Sequence, residues 1–164
     1  MKHTISILVE NHAGVLARVA GLFARRGFNI DSLAVGVTED EKISRITIIA
    51  DGTAYTLEQI EKQLNKLIDV IKVRHLPAEE LLSRELVLIK VACQPSQRAE
   101  LISLAEIAKA KISDITVNTM TLELSDSVPR IKTFEELLRP YGIKETVRTG
   151  SIATVSYTHL TLPT

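Results

Sequence analysis

The order in which apolar periodicities change along this chain constrains its fold more than any single motif does. Residues 3 to 10 alternate, with Ile5, Ile7 and Val9 on one side and Thr4, Ser6 and Glu10 on the other, the period of a half-buried strand that only Leu8 interrupts. Val15, Val19, Leu22 and Phe23 then recur at helical spacing and leave Arg18, Arg25 and Arg26 for the wet side. Arg25 and Arg26 also occupy the last turn, where cations suit the helix dipole, and Gly27 stands where helices end. Strand patterns at 30–37 and 43–50 flank the acidic turn Thr38-Glu39-Asp40-Glu41 and predict a β-hairpin. Thr56 with Gln59 predicts a capping box for a helix bearing Leu57, Ile60, Leu64 and Leu67, and Val70 to Val73 closes the set as a strand. The order β-α-β-β-α-β predicts an α+β fold of the ferredoxin-like kind: one antiparallel four-stranded sheet with both helices on one face.

The same order then recurs. Leu76 to Ser83, with Pro77 and two glutamates, has no clear period and reads as a linker, bounded at 77–83. Glu85 to Cys93 is apolar on both faces, as a central strand is. Pro95-Ser96 opens a helix with Leu101, Leu104, Ala105 and Ala108; strands at 112–117 and 120–124 meet at Asn118-Thr119. Pro129 starts a helix with Ile131, Phe134, Leu137 and Leu138, ended by Pro140-Tyr141-Gly142 before a last strand at 143–148. Two tandem domains are expected, at 1–76 and 84–155. The stretch 156–164, SYTHLTLPT, carries no Asp, Glu, Lys or Arg, continues no element, and is set aside as a tail foreign to the fold.

Composition narrows the function classes. Twenty Lys and Arg balance twenty Asp and Glu, so no whole-chain field draws in nucleic acid or an anionic membrane. A sheet that stacks RNA bases needs aromatic residues on its central strands, and the first-half strands offer none. No apolar run approaches the length of a membrane span, no leader precedes the first strand, and the single cysteine, Cys93, suits a small buried hydrophobe in a reducing compartment, so the cytoplasm is the expected location. Each half, at about 75 residues, buries only about 60% of its unfolded surface, which favours association.

No Gly-rich phosphate loop, paired-cysteine metal motif, His-Glu-x-x-His helix or Gly-x-Ser-x-Gly elbow occurs. His3, His12, His75 and His159 are scattered over element ends and the tail and read as surface residues, and neither a catalytic group nor a metal site is expected. Two polar turns remain. At Asn11 to Gly14, glycine bares the backbone, and the N–H groups of Gly14, Val15 and Leu16 lack intrahelical acceptors and can receive a carboxylate. Asn29, just past Gly27-Phe28, can donate and accept. Asn and Gly are equally ordinary turn and cap residues, so each turn alone leaves a ligand site and a plain helix end both open. If the strands on either side of the first helix share a sheet, the two turns lie at opposite ends of it, and a joint site needs two copies of the chain.

The run ISILVENHAGVLARVAGLFARRGFNIDSLAVG followed by SRITI resembles the ACT domain of acetolactate synthase (acetohydroxyacid synthase) regulatory small subunits, and the likeness continues through QIEKQLNKLIDVIKV and LLRPYGIKE to about residue 153. The resemblance implies a subunit without chemistry of its own. It implies activation of a thiamine-diphosphate-dependent catalytic subunit and feedback inhibition by valine or another branched-chain amino acid. No cofactor is expected on this chain; thiamine diphosphate, Mg2+ and FAD are expected on the catalytic partner. It also implies a homodimer through ACT domains, with the effector held by Asn11, Ala13, Gly14, Val15 and Leu16 of one copy and Asn29 and Ile30 of the other. Val15, Leu16, Ile30 and Val35 are the candidates for its apolar pocket, which separates valine from leucine by only about 1–3 kcal/mol. Arg26, Arg45 and Asp69 are surface candidates for contact with the catalytic subunit. A free-standing ACT-type amino-acid sensor of another enzyme or regulator is the alternative, disfavoured by the second domain and by the SRITI continuation.

Overall fold

The computed structural model describes residues 1–156, so the reading of 156–164 as a foreign tail concerns residues outside the description except for Ser156. The chain forms two compact units, one of Met1–Leu82 joined by residues 151–156, the other of Ser83–Gly150. In the first, β1 (Lys2–Glu10), α1 (Val15–Arg25), β2 (Asn29–Val37), β3 (Ile43–Asp51), α2 (Ala54–Leu64) and β4 (Val70–Leu76) follow in the predicted order. The sheet runs β2-β3-β1-β4 with every neighbour antiparallel. Ile5 lies opposite Ile48 and Ile7 opposite Ile46, and this row packs beneath Val19, Leu22 and Phe23 of α1 and Leu57, Ile60 and Leu64 of α2. Each fully buried Ile or Leu contributes about 1.5–3 kcal/mol, and the aliphatic row needs few aromatic rings to fill it.

Thr4 and Ser6, expected on the wet face, are buried all the same. They are short side chains between neighbouring strands, and Arg45 lies over Ser6, its Nη1 donating to Ser6 Oγ at 2.5 Å. The first helix ends as read. Arg26 caps it, Gly27 takes φ +75°, Phe28 N–H donates to the Phe23 carbonyl at 3.1 Å and Gly27 N–H to that of Ala24 at 3.2 Å. These two bonds with an edge-on Phe23–Phe28 contact make a Schellman stop, which delivers Asn29 to the head of β2. The second helix starts earlier than the capping-box reading placed it: Thr53 is the cap, its Oγ1 accepting from Thr56 N–H at 3.1 Å. Thr56 was mistaken for the cap because it is itself a β-hydroxyl residue one turn inside.

In the second unit, β5 (Leu81–Ala92), α3 (Arg98–Ala108), β6 (Lys111–Ile115), β7 (Thr119–Asp126), α4 (Val128–Leu138) and β8 (Ile143–Arg148) repeat the order, with strands arranged β6-β7-β5-β8. Val87, Ile89 and Val91 of the central strand pack with Leu101, Met120, Leu122, Ile131 and Phe134, and Cys93 is buried among them. Two details depart from the expected domain bounds. The stretch taken as a linker at 77–83 is one 3-10 turn at Ala78–Glu80, after which Leu81 already belongs to β5. Residues 151–155, expected with the second domain, count with the first unit and form a strand that periodicity did not predict, β9 (Ile152–Val155), too short to show a period. It pairs with β5, whose first residues Leu81 and Leu82 also count with the first unit. Ser151 N–H donates to Ser32 Oγ at 2.7 Å, and Ser156 N–H to the Glu80 carbonyl at 2.7 Å. No described helix is long and apolar enough to cross a membrane.

Candidate functional site

Gly14 caps α1 with φ +87°, a left-handed backbone that only glycine adopts readily. No side chain caps the helix there, and among the described residues the N–H groups of Gly14, Val15 and Leu16 have no acceptor. Asn11, Ala13, Gly14 and Leu16 are exposed around them. The turn therefore presents bare donors at a helix N-terminus, where the dipole favours an anion by about 0.3–1 kcal/mol.

Asn11 is less free than its position in the sequence implied. Its Nδ2 donates to the Glu41 carbonyl at 2.9 Å and its N–H to the Lys42 carbonyl at 2.8 Å, so it ties the turn to the β2–β3 hairpin and leaves its amide oxygen and one amide hydrogen for a ligand. Val15 must leave the pocket list. It is 3% exposed and belongs to the core, because the residue that opens the apolar stripe of α1 points at the sheet. Leu16 at 40% and Val35 at 49% exposure remain open to a side chain.

The second turn lies at the other end of the sheet. Asn29 pairs with Asp51, which pairs with Lys2, whereas Glu10, from which the first turn leaves, pairs with Ile43. The length of β1, about 25 Å at the usual rise per residue, separates the two turns in one chain. Asn29 is exposed and its Nδ2 donates to Asp31 Oδ1 at 2.9 Å; Asp31 in turn meets Lys2 Nζ at 3.0 Å. Ile30 is half-buried against the core.

A cluster beside the first turn escaped the sequence reading. His12 Nε2 lies 2.9 Å from Asp69 Oδ1 and 3.3 Å from Glu10 Oε2, and Arg18 pairs with Asp69. Glu10, His12 and Asp69 stand close enough together to serve as metal ligands, but the Arg18 guanidinium already supplies the positive charge there. The hydrogen bond to Glu10, helped by the Asp69 charge, raises the His12 pKa above its ordinary value. Arg18 also reaches the cap, since a Cβ on Gly14 would stand 3.4 Å from Arg18 Nη1. Asp69, expected at the surface as a contact for the catalytic subunit, is instead mostly enclosed by this cluster, with 14% of its side chain exposed. His3 is likewise not a surface residue: it is buried, 3.3 Å from His75 and 3.2 Å from the Gly52 carbonyl, whereas His75 is exposed as expected. Only the β1–β4 pairing brings these residues together, which no local pattern reveals.

Residues 5–72 match the family described as the AHAS small subunit-like ACT domain, and residues 84–155 match that described as the small subunit of acetolactate synthase. The chain belongs to the acetolactate synthase small-subunit family. It is 45% identical over 151 residues to the acetolactate synthase small subunit of Mycobacterium leprae, covering 92% of this chain and 89% of that protein. The corresponding protein of Mycolicibacterium smegmatis is 44% identical over the same span. The crystal structure of the acetolactate synthase small subunit from Thermotoga maritima superposes with a TM-score of 0.89 at 38% identity, covering 97% of this chain and 99% of that one. Membership agrees with the expectation of a non-catalytic subunit and with two tandem β-α-β-β-α-β domains, the first an ACT domain.

Proposed function

We propose that this small subunit binds an acetolactate synthase catalytic subunit, raises its activity, and makes it subject to feedback inhibition by a branched-chain amino acid, valine foremost. The observation that supports the effector site is the set of N–H donors at Gly14, Val15 and Leu16, which have no acceptor among the described residues. A carboxylate satisfies these donors. The ammonium then needs acceptors, which the amide oxygens of Asn11 and Asn29 supply.

Two copies are required to bring those residues together, and the sheet offers a way. Strand β2 is an edge, and Val35 and Val37 on it are 49% and 61% exposed. Edge strands with exposed apolar residues pair readily. Two copies joined at β2 across a two-fold axis run those strands antiparallel, which sets the Asn29 end of one beside the Val37 end of the other. Val37 pairs with Ser44, and Ser44 with Val9, so this is the end from which the Gly14 turn departs. An effector bridging the copies favours one arrangement of the pair over others, with a coupling of about 1–3 kcal/mol. In this reading thiamine diphosphate, Mg2+ and FAD reside on the catalytic partner and this chain holds none.

The test is reconstitution. Added to its cognate catalytic subunit, the purified protein should increase acetolactate formation and make it valine-sensitive. A protein that does neither refutes the proposal, and valine binding without any effect on that enzyme favours the free-standing sensor.

A further inference from the structure

Arg45, Lys72 and Arg74 surround Ser6 on the face of the first sheet that carries no helix. The register puts them there: Ser6 lies between Thr47 and Arg74, and Leu8 between Arg45 and Lys72, while the alternate residues Ile5 and Ile7 pack under the helices. Ser6, Leu8, Arg45, Lys72 and Arg74 line a small recess. Arg45 and Arg74 are half-buried, and the contact with Ser6 Oγ holds the Arg45 guanidinium over β1. Among the described residues none of the three cations joins an ion pair, whereas Lys2, Arg18 and Lys62 of the same unit each meet a carboxylate. Like charges gathered around one recess repel, and an anionic partner relieves that repulsion.

We infer that this recess docks an acidic, extended segment of the catalytic subunit, an inference that rests on the regulatory reading above. The spacing selects a polypeptide over a lone ion. Lys72 and Arg74 are two residues apart on one strand, about 7 Å, which is also the repeat of carboxylates at alternate positions of an extended chain. Arg45 lies two strands away, about 10 Å, a span that several carboxylates cover and a single oxyanion does not. Leu8, between the cations, gives the segment an apolar contact. Neutralising partly buried cations across an interface speeds association and makes it depend on salt.

The test uses Lys72→Glu/Arg74→Glu, which leaves the Ser6–Arg45 contact in place, and follows association with the catalytic subunit at low and high salt. The double variant should associate about tenfold more weakly or worse and lose much of the salt dependence, with valine binding and melting temperature unchanged. Lys72→Arg/Arg74→Lys should behave as wild type. If the charge reversal unfolds the protein, Lys72→Gln/Arg74→Gln gives the same readout without adding carboxylates. Wild-type association in the charge-removed protein overturns the docking site and leaves the regulatory reading standing. Failure of the wild type to associate at all overturns both. Inorganic phosphate bound by the wild type and lost in the variant, with subunit association unaffected, assigns the recess to a small anion and likewise overturns the inference.

Discussion

A Cβ on Gly52 would collide with the edge of the Phe28 ring, 2.8 Å from Cδ1 and nearer still to Cε1 and Cζ. Gly52 leaves β3 and Phe28 precedes β2, so this contact sets the end of the sheet where Asn29 is displayed. Because Phe28 is itself held edge-on to Phe23, the ring has no room to retreat. Gly52→Ala should destabilise the protein by about 1–3 kcal/mol, the usual effect of overpacking, read as a lower denaturation midpoint. An unchanged midpoint would mean that Phe28 has another place to go.

Gly14 is the sharper test of the effector turn. Its φ of +87° is unfavourable for any side chain, so Gly14→Ala should itself lower stability by about 1–2 kcal/mol. Gly14→Asp adds a carboxylate where the proposed site would hold that of the effector, near Arg18. Calorimetry with valine should show weakened binding in the alanine variant and none detectable in the aspartate variant. Wild-type affinity in Gly14→Asp would move the site elsewhere.

Asn11 and Asn29 should separate in their effects. Asn11→Ala removes the bond to the Glu41 carbonyl and should loosen the turn, lowering stability by about 0.5–1.5 kcal/mol as well as valine affinity. Asn29 is bonded only to an exposed neighbour, Asp31, so Asn29→Ala should weaken valine binding with little change in melting temperature. Paired melting and calorimetric measurements distinguish the two patterns; a large melting shift in Asn29→Ala would contradict this account.

His12 gives the turn a pH dependence. Its pKa is higher folded than unfolded, so its contribution to stability is complete below the unfolded value near 6.5 and disappears as pH rises through the raised folded value. Both Glu10 and Asp69 hold the protonated ring, with the Glu10 hydrogen bond the larger effect. An NMR titration of the His12 ring should place its midpoint above that of a free histidine, and Glu10→Gln should lower it more than Asp69→Asn does. A midpoint that ignores Glu10 would show that the hydrogen bond is not its cause.

What the sequence made legible was whatever depends on neighbours along the chain. The helix stop at Gly27-Phe28 follows from one glycine and two phenylalanines five residues apart, and both element orders follow from changes of period. Of the proposed site only the bare donors at Gly14 were legible, because they are a local property. Misreadings arose where a residue has two local explanations: Thr56 resembles a cap though Thr53 is nearer the helix start, and Val15 was given to both the stripe and the pocket although one side chain faces one way. The Arg18–Asp69 pair joins α1 to the residue just before β4, and the cations around Ser6 come from β3 and β4 on either side of β1, so no window of residues contains them.

The bond from Ser151 to Ser32 changes how this protein can be taken apart. Ser32 sits on β2, the strand that leads from Asn29 to the exposed edge, and its hydroxyl is met by backbone that the ribosome makes only after the whole second unit. A fragment ending at Leu82 therefore carries both proposed half-sites but not the segment that fastens the strand between them. Binding measured on such a fragment describes a different molecule from the intact chain, and a faithful dissection has to graft residues 151–156 back on.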